Sequence, residues 1–127
     1  MAVTVNAELT LLYWQVGSHI HQHILQNERA EYGQEVVKSL AKTLTEQFGK
    51  GWGRTHLLYC VKFAETFSDL QIVHALRGQL SWTHFKTLTY IDDPLKRDFY
   101  ATMAAQEHWS TRTLDERIGS MLFERTN

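Results

Sequence analysis

Cys60 is the only thiol in this chain, and His56 stands four residues before it, one turn back if the segment is helical. A cysteine nucleophile needs an imidazole oriented beside it to take its proton, and this spacing meets the first condition for such a pair. A small buried thiol within a helix accounts for the same residues more simply. His19, His21 and His23 form a second group. On a helix His19 and His23 share a face and His21 points nearly opposite. Two imidazoles at that spacing can hold a transition metal, yet a stable site takes three or four ligands, and Glu28 lies too far along the face to help. A solvated polar face is the plainer reading, followed by a surface for a partner.

A metal-dependent nuclease usually carries acidic ligands with a lysine two positions after one of them. None of the 14 acids in this chain has lysine at that position. There is no glycine-rich phosphate loop and no His-Glu-x-x-His, the local patterns for phosphoryl and zinc chemistry. No catalytic residue, no metal site and no cofactor is therefore expected, and an independent enzyme is the remotest reading.

Trp14, Trp52, Trp82 and Trp109 are residues on which nucleic-acid bases can stack. Trp14 and Trp82 lie on or beside apolar stripes and are expected in the core. Trp109 precedes a helix and reads as a staple against its first turns. Trp52 sits in a glycine-flanked turn, where packing is only slightly the simpler reading.

Charge marks the same region. The net charge is -1, but from Val36 to Lys62 the chain holds Lys38, Lys42, Lys50, Arg54 and Lys62 against Glu46 alone, five minus one, or +4. Local positive charge on an otherwise acidic domain suits an anion-binding face. The stretch Ser39–Phe48, then Gly49-Lys50-Gly51-Trp52-Gly53, then Arg54-Thr55-His56-Leu57 reads as helix, glycine turn, helix. In a DNA-binding helix-turn-helix the second helix enters the major groove and its first residues meet base edges. Arg54, Thr55 and His56 stand at that end, with Tyr59 and Lys62 about one and two turns on. Lys38, Lys42 and Lys50 suit phosphates, which give affinity without sequence choice. An ordinary antiparallel hairpin with a solvated basic face fits the spacing as well, and somewhat better, because the turn is long for a tight motif.

The elements that must hold these residues are helices. Val5, Leu9, Leu12, Val16, Ile20 and Ile24 recur at three- and four-residue steps on a long first helix, broken at Gly17, which suits close packing. The polar stretch Gln26 to Gly33 is expected to end it. A second stripe is Val36, Val37, Leu40, Leu44 and Phe48; a third is Leu57, Val61 and Ala64, broadened by Leu58 and Phe63. Ser68 with Gln71 forms a plausible capping box before Ile72, Val73 and Leu76. Ser81 can cap a helix bearing Trp82, Phe85 and Leu88. Asp93-Pro94 is a strong start signal before Leu95, Phe99 and Met103. Ser110 or Thr111 can cap the last helix, with Leu114, Ile118 and Leu122 inward. No segment alternates like a strand. The expectation is an all-α fold, a compact bundle of about six or seven helices containing a helix-turn-helix-like hairpin.

At 127 residues, 43% hydrophobic and 21% charged, the chain fits one ordinary domain over residues 1–127. One cysteine excludes an internal disulfide. No apolar run approaches the roughly 20 residues of a membrane span, and no basic segment precedes the first apolar residues as in a signal peptide. A cytoplasmic protein without membrane contact is expected.

Several segments in order resemble one family. Asn6-Ala7-Glu8-Leu9-Thr10-Leu11-Leu12-Tyr13-Trp14-Gln15-Val16-Gly17 is similar to the opening of the N-terminal domain of YhcG-type nucleases, as are Arg29-Ala30-Glu31-Tyr32-Gly33 and the turn Phe48-Gly49-Lys50-Gly51-Trp52. The resemblance continues through Gln79-Leu80-Ser81-Trp82-Thr83-His84, Asp93-Pro94 and Arg97-Asp98-Phe99-Tyr100 to Trp109-Ser110-Thr111-Arg112-Thr113-Leu114. It implies a bacterial protein whose helical N-terminal region contacts DNA ahead of a nuclease domain of the PD-(D/E)XK type. No segment here corresponds to that second domain, so the nuclease partner is expected in cis or in trans, and this chain is expected to be non-catalytic. After the turn the chain departs from the family pattern, with Gly53 where relatives tend to carry Ser or Thr, and Cys60-Val61 where a basic residue is frequent. Two functions stand side by side: a DNA-binding accessory domain, and a protein-interaction or dimerisation module using the apolar stripe of the first helix.

Overall fold

The first helix, α1, runs Ala2–Ile20 and passes directly into a π-helical turn at His21–Leu25. In this computed structural model the description covers residues 2–25 and 30–126, with side chains described for 7–23 and 33–126. The expected roles of Val5, Ile24 and Glu28, and the Arg29–Tyr32 part of the family signature, lie outside the described side chains. The remaining helices are α2 (Ala30–Phe48), α3 (Arg54–Thr66), α4 (Leu70–Leu76), α5 (Trp82–Thr89), α6 (Pro94–Gln106), α7 (Thr111–Gly119) and α8 (Leu122–Thr126). A 3-10 turn, Lys50–Trp52, links α2 to α3. Among the described residues there are eight α-helices and no strand, so the all-α expectation holds. Two boundaries moved: α2 starts at Ala30, inside the stretch expected to be a connection, and α8 is an additional short helix.

The chain forms two compact units, Leu12–Ser68, and Met1–Leu11 with Asp69–Asn127. In the Leu12–Ser68 unit Ile20, Val37, Ala41, Leu57 and Val61 make a buried cluster, and Val16, Leu40, Leu44, Trp52 and Leu58 pack around it. The i, i+4 pairs Val37/Ala41 and Leu57/Val61 each place two apolar side chains on one helix face, which is why α2 and α3 meet there. Trp14 is anchored by its indole Nε1–H, which donates to the Phe67 carbonyl at 2.7 Å. Gly17 lets α1 approach α3 at backbone distance: a Cβ at that position would lie 1.9 Å from the Cys60 carbonyl oxygen.

The other unit is built on helix caps. Asp93 accepts from the Leu95 amide at 3.0 Å with Pro94 at the first helical position. Ser110 accepts from Thr113 N–H at 3.0 Å. At α4 the cap is Asp69, which accepts from Gln71 N–H at 2.9 Å, and not Ser68 as expected; a carboxylate reaching the amide two residues on satisfies it as well as a hydroxyl does. Ser81 and His84 form a reciprocal box at α5, and His84, only 7% exposed, also meets the Trp109 carbonyl through Nε2 at 2.7 Å.

Some stripes are rotated from their expected faces. Leu9 and Leu12 are 37% and 40% exposed, whereas Ala7, Thr10 and Ile20 are buried. Phe48 and Leu95 are also exposed, and α6 instead buries Tyr100, Ala101, Ala104 and Ala105. On α6 three alanines let neighbouring helices come close around the buried Tyr100, while Phe99 and Met103 stay half-buried.

Candidate nucleic-acid interface

The basic region occupies α2, the 3-10 turn and α3. Gly49 closes α2 with φ of 104°, a backbone conformation in the range that glycine tolerates without a steric penalty. The Trp52 amide then donates to the Gly49 carbonyl at 3.2 Å. Gly53 serves as the N-cap of α3 and supplies no side-chain hydrogen bond, a local consequence of having glycine where a hydroxyl would cap.

This turn doubles back along α2. The Arg54 guanidinium donates to Gln34 Oε1 at 2.8 Å. Gln34 lies 14 residues before Phe48, about 21 Å along the helix axis at 1.5 Å per residue. Arg54 is thus placed next to the first half of α2, one helical turn before Lys38, rather than at the end of α2.

Lys38, Lys42, Lys50, Arg54 and Thr55 are exposed, and Trp52, His56, Tyr59 and Lys62 are half-buried. Glu35 and Glu46 are the acids in the described part of α2. Among the described residues Lys38, Lys42 and Lys50 form no ion pair with either, although Glu46 lies four residues from both Lys42 and Lys50. The other unit treats its cations differently: Arg77 meets Glu8 at 3.1 Å, Lys96 meets Glu124 at 2.7 Å and Arg112 meets Glu116 at 3.4 Å. Lys38, Lys42 and Lys50 are thus exposed cations with no ion pair among the described residues.

Three rings from two helices and the turn meet in the same unit. Tyr13 and His56 lie 4.4 Å apart between centroids, Trp52 and His56 5.4 Å, and Tyr13 and Trp52 5.8 Å, all edge to face. Burial, and then the neighbouring Cys60, push the Tyr13 phenol above its usual 10.0. His56 Nε2 stands 3.6 Å from Cys60 Sγ. The expected proximity of thiol and imidazole is real, but Cys60 is wholly buried, which leaves no path for a substrate to the sulfur. Tyr13 is the member that sequence spacing missed. It is 39 positions from Trp52, and only the folding of α1 onto α3 brings it there.

The three histidines of the first helical segment separate as helical geometry requires. His19 and His23 lie 4.6 Å apart between ring centroids. His21 points elsewhere, with Nδ1 3.2 Å from Glu65 Oε1; the pair is close enough for electrostatic attraction but lacks hydrogen-bond alignment. Among the described residues no three His, Cys, Asp or Glu side chains come together as a metal site, and no helix is long and apolar enough to cross a membrane.

Residues 1–125 match the model of a family described as the DUF1016 N-terminal domain. The chain is 25% identical over 153 aligned positions to a protein of Escherichia coli (strain K12) named Putative nuclease YhcG, an alignment covering 97% of this chain and 41% of that protein. The chain thus spans less than half the length of this curated relative. No solved structure matches it.

Proposed function

The chain belongs to the DUF1016 N-terminal domain family, and we propose that residues 1–127 act as a non-catalytic, DNA-binding accessory domain of a nuclease of the YhcG kind. The observation that carries this reading is the set of exposed cations on α2 and the turn, Lys38, Lys42 and Lys50, that form no ion pair among the described residues and lie on the same hairpin as Arg54. Unpaired lysines release counterions when they meet phosphates, and this release supplies most of the sequence-independent affinity for DNA. In this reading Lys38, Lys42 and Lys50 hold the backbone. Arg54, Thr55, Tyr59 and Lys62 reach bases or adjacent phosphates, and His56 acts through the ring it braces. Cleavage belongs to the nuclease domain, in cis or in trans. The family membership and the printed name of the relative favour a nuclease context; the charge pattern favours nucleic acid as the ligand.

Fluorescence anisotropy with labelled duplex, branched and single-stranded DNA at low and moderate salt tests it. Binding should weaken steeply with salt and fall on Arg54→Ala. Affinity that ignores salt, or no binding even at low salt, would overturn the proposal.

A second reading, a protein-interaction or dimerisation module, draws on Leu9 and Leu12 of α1, exposed by 37% and 40%. Sedimentation at several concentrations distinguishes it: a clean monomer unaffected by Leu12→Ser removes homodimerisation through this helix.

A further inference from the structure

We propose that Trp52 is a stacking site for an unpaired nucleobase, so that the DNA this hairpin prefers contains a single-stranded segment. The inference rests on the DNA-binding reading above and adds a ligand class to it.

Trp14, Trp109 and Trp52 differ in how they are used. Trp14 spends its indole N–H on the Phe67 carbonyl. Trp109 lies under the Arg117 guanidinium, 5.6 Å from ring to carbon. Trp52 is half-buried, and its contacts are the edge-to-face rings of Tyr13 and His56 together with the apolar cluster beneath. Among the described residues its Nε1–H has no hydrogen-bond partner, and it is not a buried orphan either, so that edge of the indole faces water. Its N–H, like that of Trp109, has no partner among the described residues and stays available for an acceptor on a ligand.

The surroundings leave room. A Cβ at Gly51 would meet nothing within 4 Å, and one at Gly53 would meet only the Lys50 carbonyl at 3.8 Å. The backbone on either side of Trp52 thus carries no side chain and has open space at these two positions. Lys50 and Arg54, two residues before it and two after, are both exposed and supply cations for the phosphates of a bound strand. Tyr13 and His56 fix the ring's orientation, so little freedom is lost when a base settles on it. In a duplex the faces of the bases are covered by their neighbours, whereas an unpaired base offers a free face to an aromatic ring.

The decisive comparison uses the wild-type chain and needs no variant. Affinities for a labelled oligo-dT and for an abasic oligonucleotide of equal length have the same phosphates but differ in bases. Oligo-dT should bind about fivefold or more tightly than the abasic strand, and this advantage should vanish in Trp52→Ala and persist in part in Trp52→Phe. Thermal melting of each variant separates lost stacking from lost folding. Equal affinity for the two strands overturns the stacking site while leaving charge-driven binding in place. A base advantage that survives in folded Trp52→Ala overturns the assignment to Trp52. If neither strand nor any duplex binds at low salt, the DNA-binding reading itself fails.

Discussion

The α-carbon of Gly17 in α1 lies against the backbone of Cys60 in α3, so near that a Cβ added there would stand 1.9 Å from the Cys60 carbonyl oxygen and 2.3 Å from its carbon. These are main-chain atoms in the middle of a helix and cannot rotate away. In an exposed helix Gly→Ala gains up to about 1 kcal/mol from backbone entropy. Here the clash outweighs that gain, and Gly17→Ala should cost about 3 kcal/mol or more. Urea denaturation reads this directly. An alanine variant as stable as the parent would mean that the two helices do not approach so closely.

The Ser81/His84 box sets a second expectation. Ser81 N–H donates to His84 Nδ1 at 3.0 Å, so Nδ1 is an acceptor and the ring proton sits on Nε2, where it donates to the Trp109 carbonyl 2.7 Å away. Ser81→Ala removes one cap, at about 1 kcal/mol. His84→Ala strands a cap amide and a loop carbonyl together and should cost more, about 2 kcal/mol. The order of the two midpoints in denaturant is the check, and nitrogen NMR of His84 should find the Nε2–H tautomer.

How much of this was legible beforehand follows from how local each signal is. Caps are read over three residues, and Ser81, Asp93-Pro94 and Ser110 all start the helices they were expected to start. The ordered signatures from Asn6 to Leu114 identified the family that residues 1–125 match. A glycine inside the stripe of α1 suits close packing, but its partner, Cys60, lies 43 positions away and leaves no local signal. Periodicity places the face of α6 only in part: of the stripe Leu95, Phe99 and Met103, Leu95 is exposed and the other two are half-buried, while the helix buries Tyr100, Ala101, Ala104 and Ala105. A stripe of large residues locates an apolar face, and only packing decides which face closes. The Tyr13–Trp52–His56 grouping was invisible for the same reason, since it depends on α1 lying on α3.

Lys96 and Glu124 join α6 to α8 at 2.7 Å. The hydrogen bond from Lys96 holds the Glu124 carboxyl below its ordinary 4.5, and Glu124 holds the Lys96 ammonium above its ordinary 10.5. A depressed carboxylate stabilises the fold above its unfolded value and loses that contribution as pH falls through the folded one. A raised ammonium stabilises the fold below about 10.5 and loses the contribution as pH rises through its folded value. Glu124→Gln should therefore melt at a slightly lower temperature than the parent at pH 7, and the gap should shrink as pH falls below the ordinary glutamate value of 4.5. A gap that stays constant from pH 7 to pH 3 would assign the effect of the substitution to something other than this ion pair.

Salt dependence measures how many cations of the hairpin reach phosphates. For duplex DNA each phosphate neutralised contributes roughly 0.9 to the slope of log affinity against log salt. Four contacts, from Lys38, Lys42, Lys50 and Arg54, then give a slope near -3.6 and an affinity loss of about a hundredfold between 50 and 200 mM salt. Lys42→Ala should lower the magnitude of that slope by roughly 1 and weaken binding alike on unrelated sequences. Lys96→Ala serves as the control, because Lys96 is already paired with Glu124 and lies outside the Leu12–Ser68 unit; it should leave the slope unchanged. Equal slopes for the parent and both variants would mean that Lys42 does not touch DNA. A slope that falls for Lys96→Ala and not for Lys42→Ala would move the nucleic-acid face away from the α2–α3 hairpin and onto the other unit.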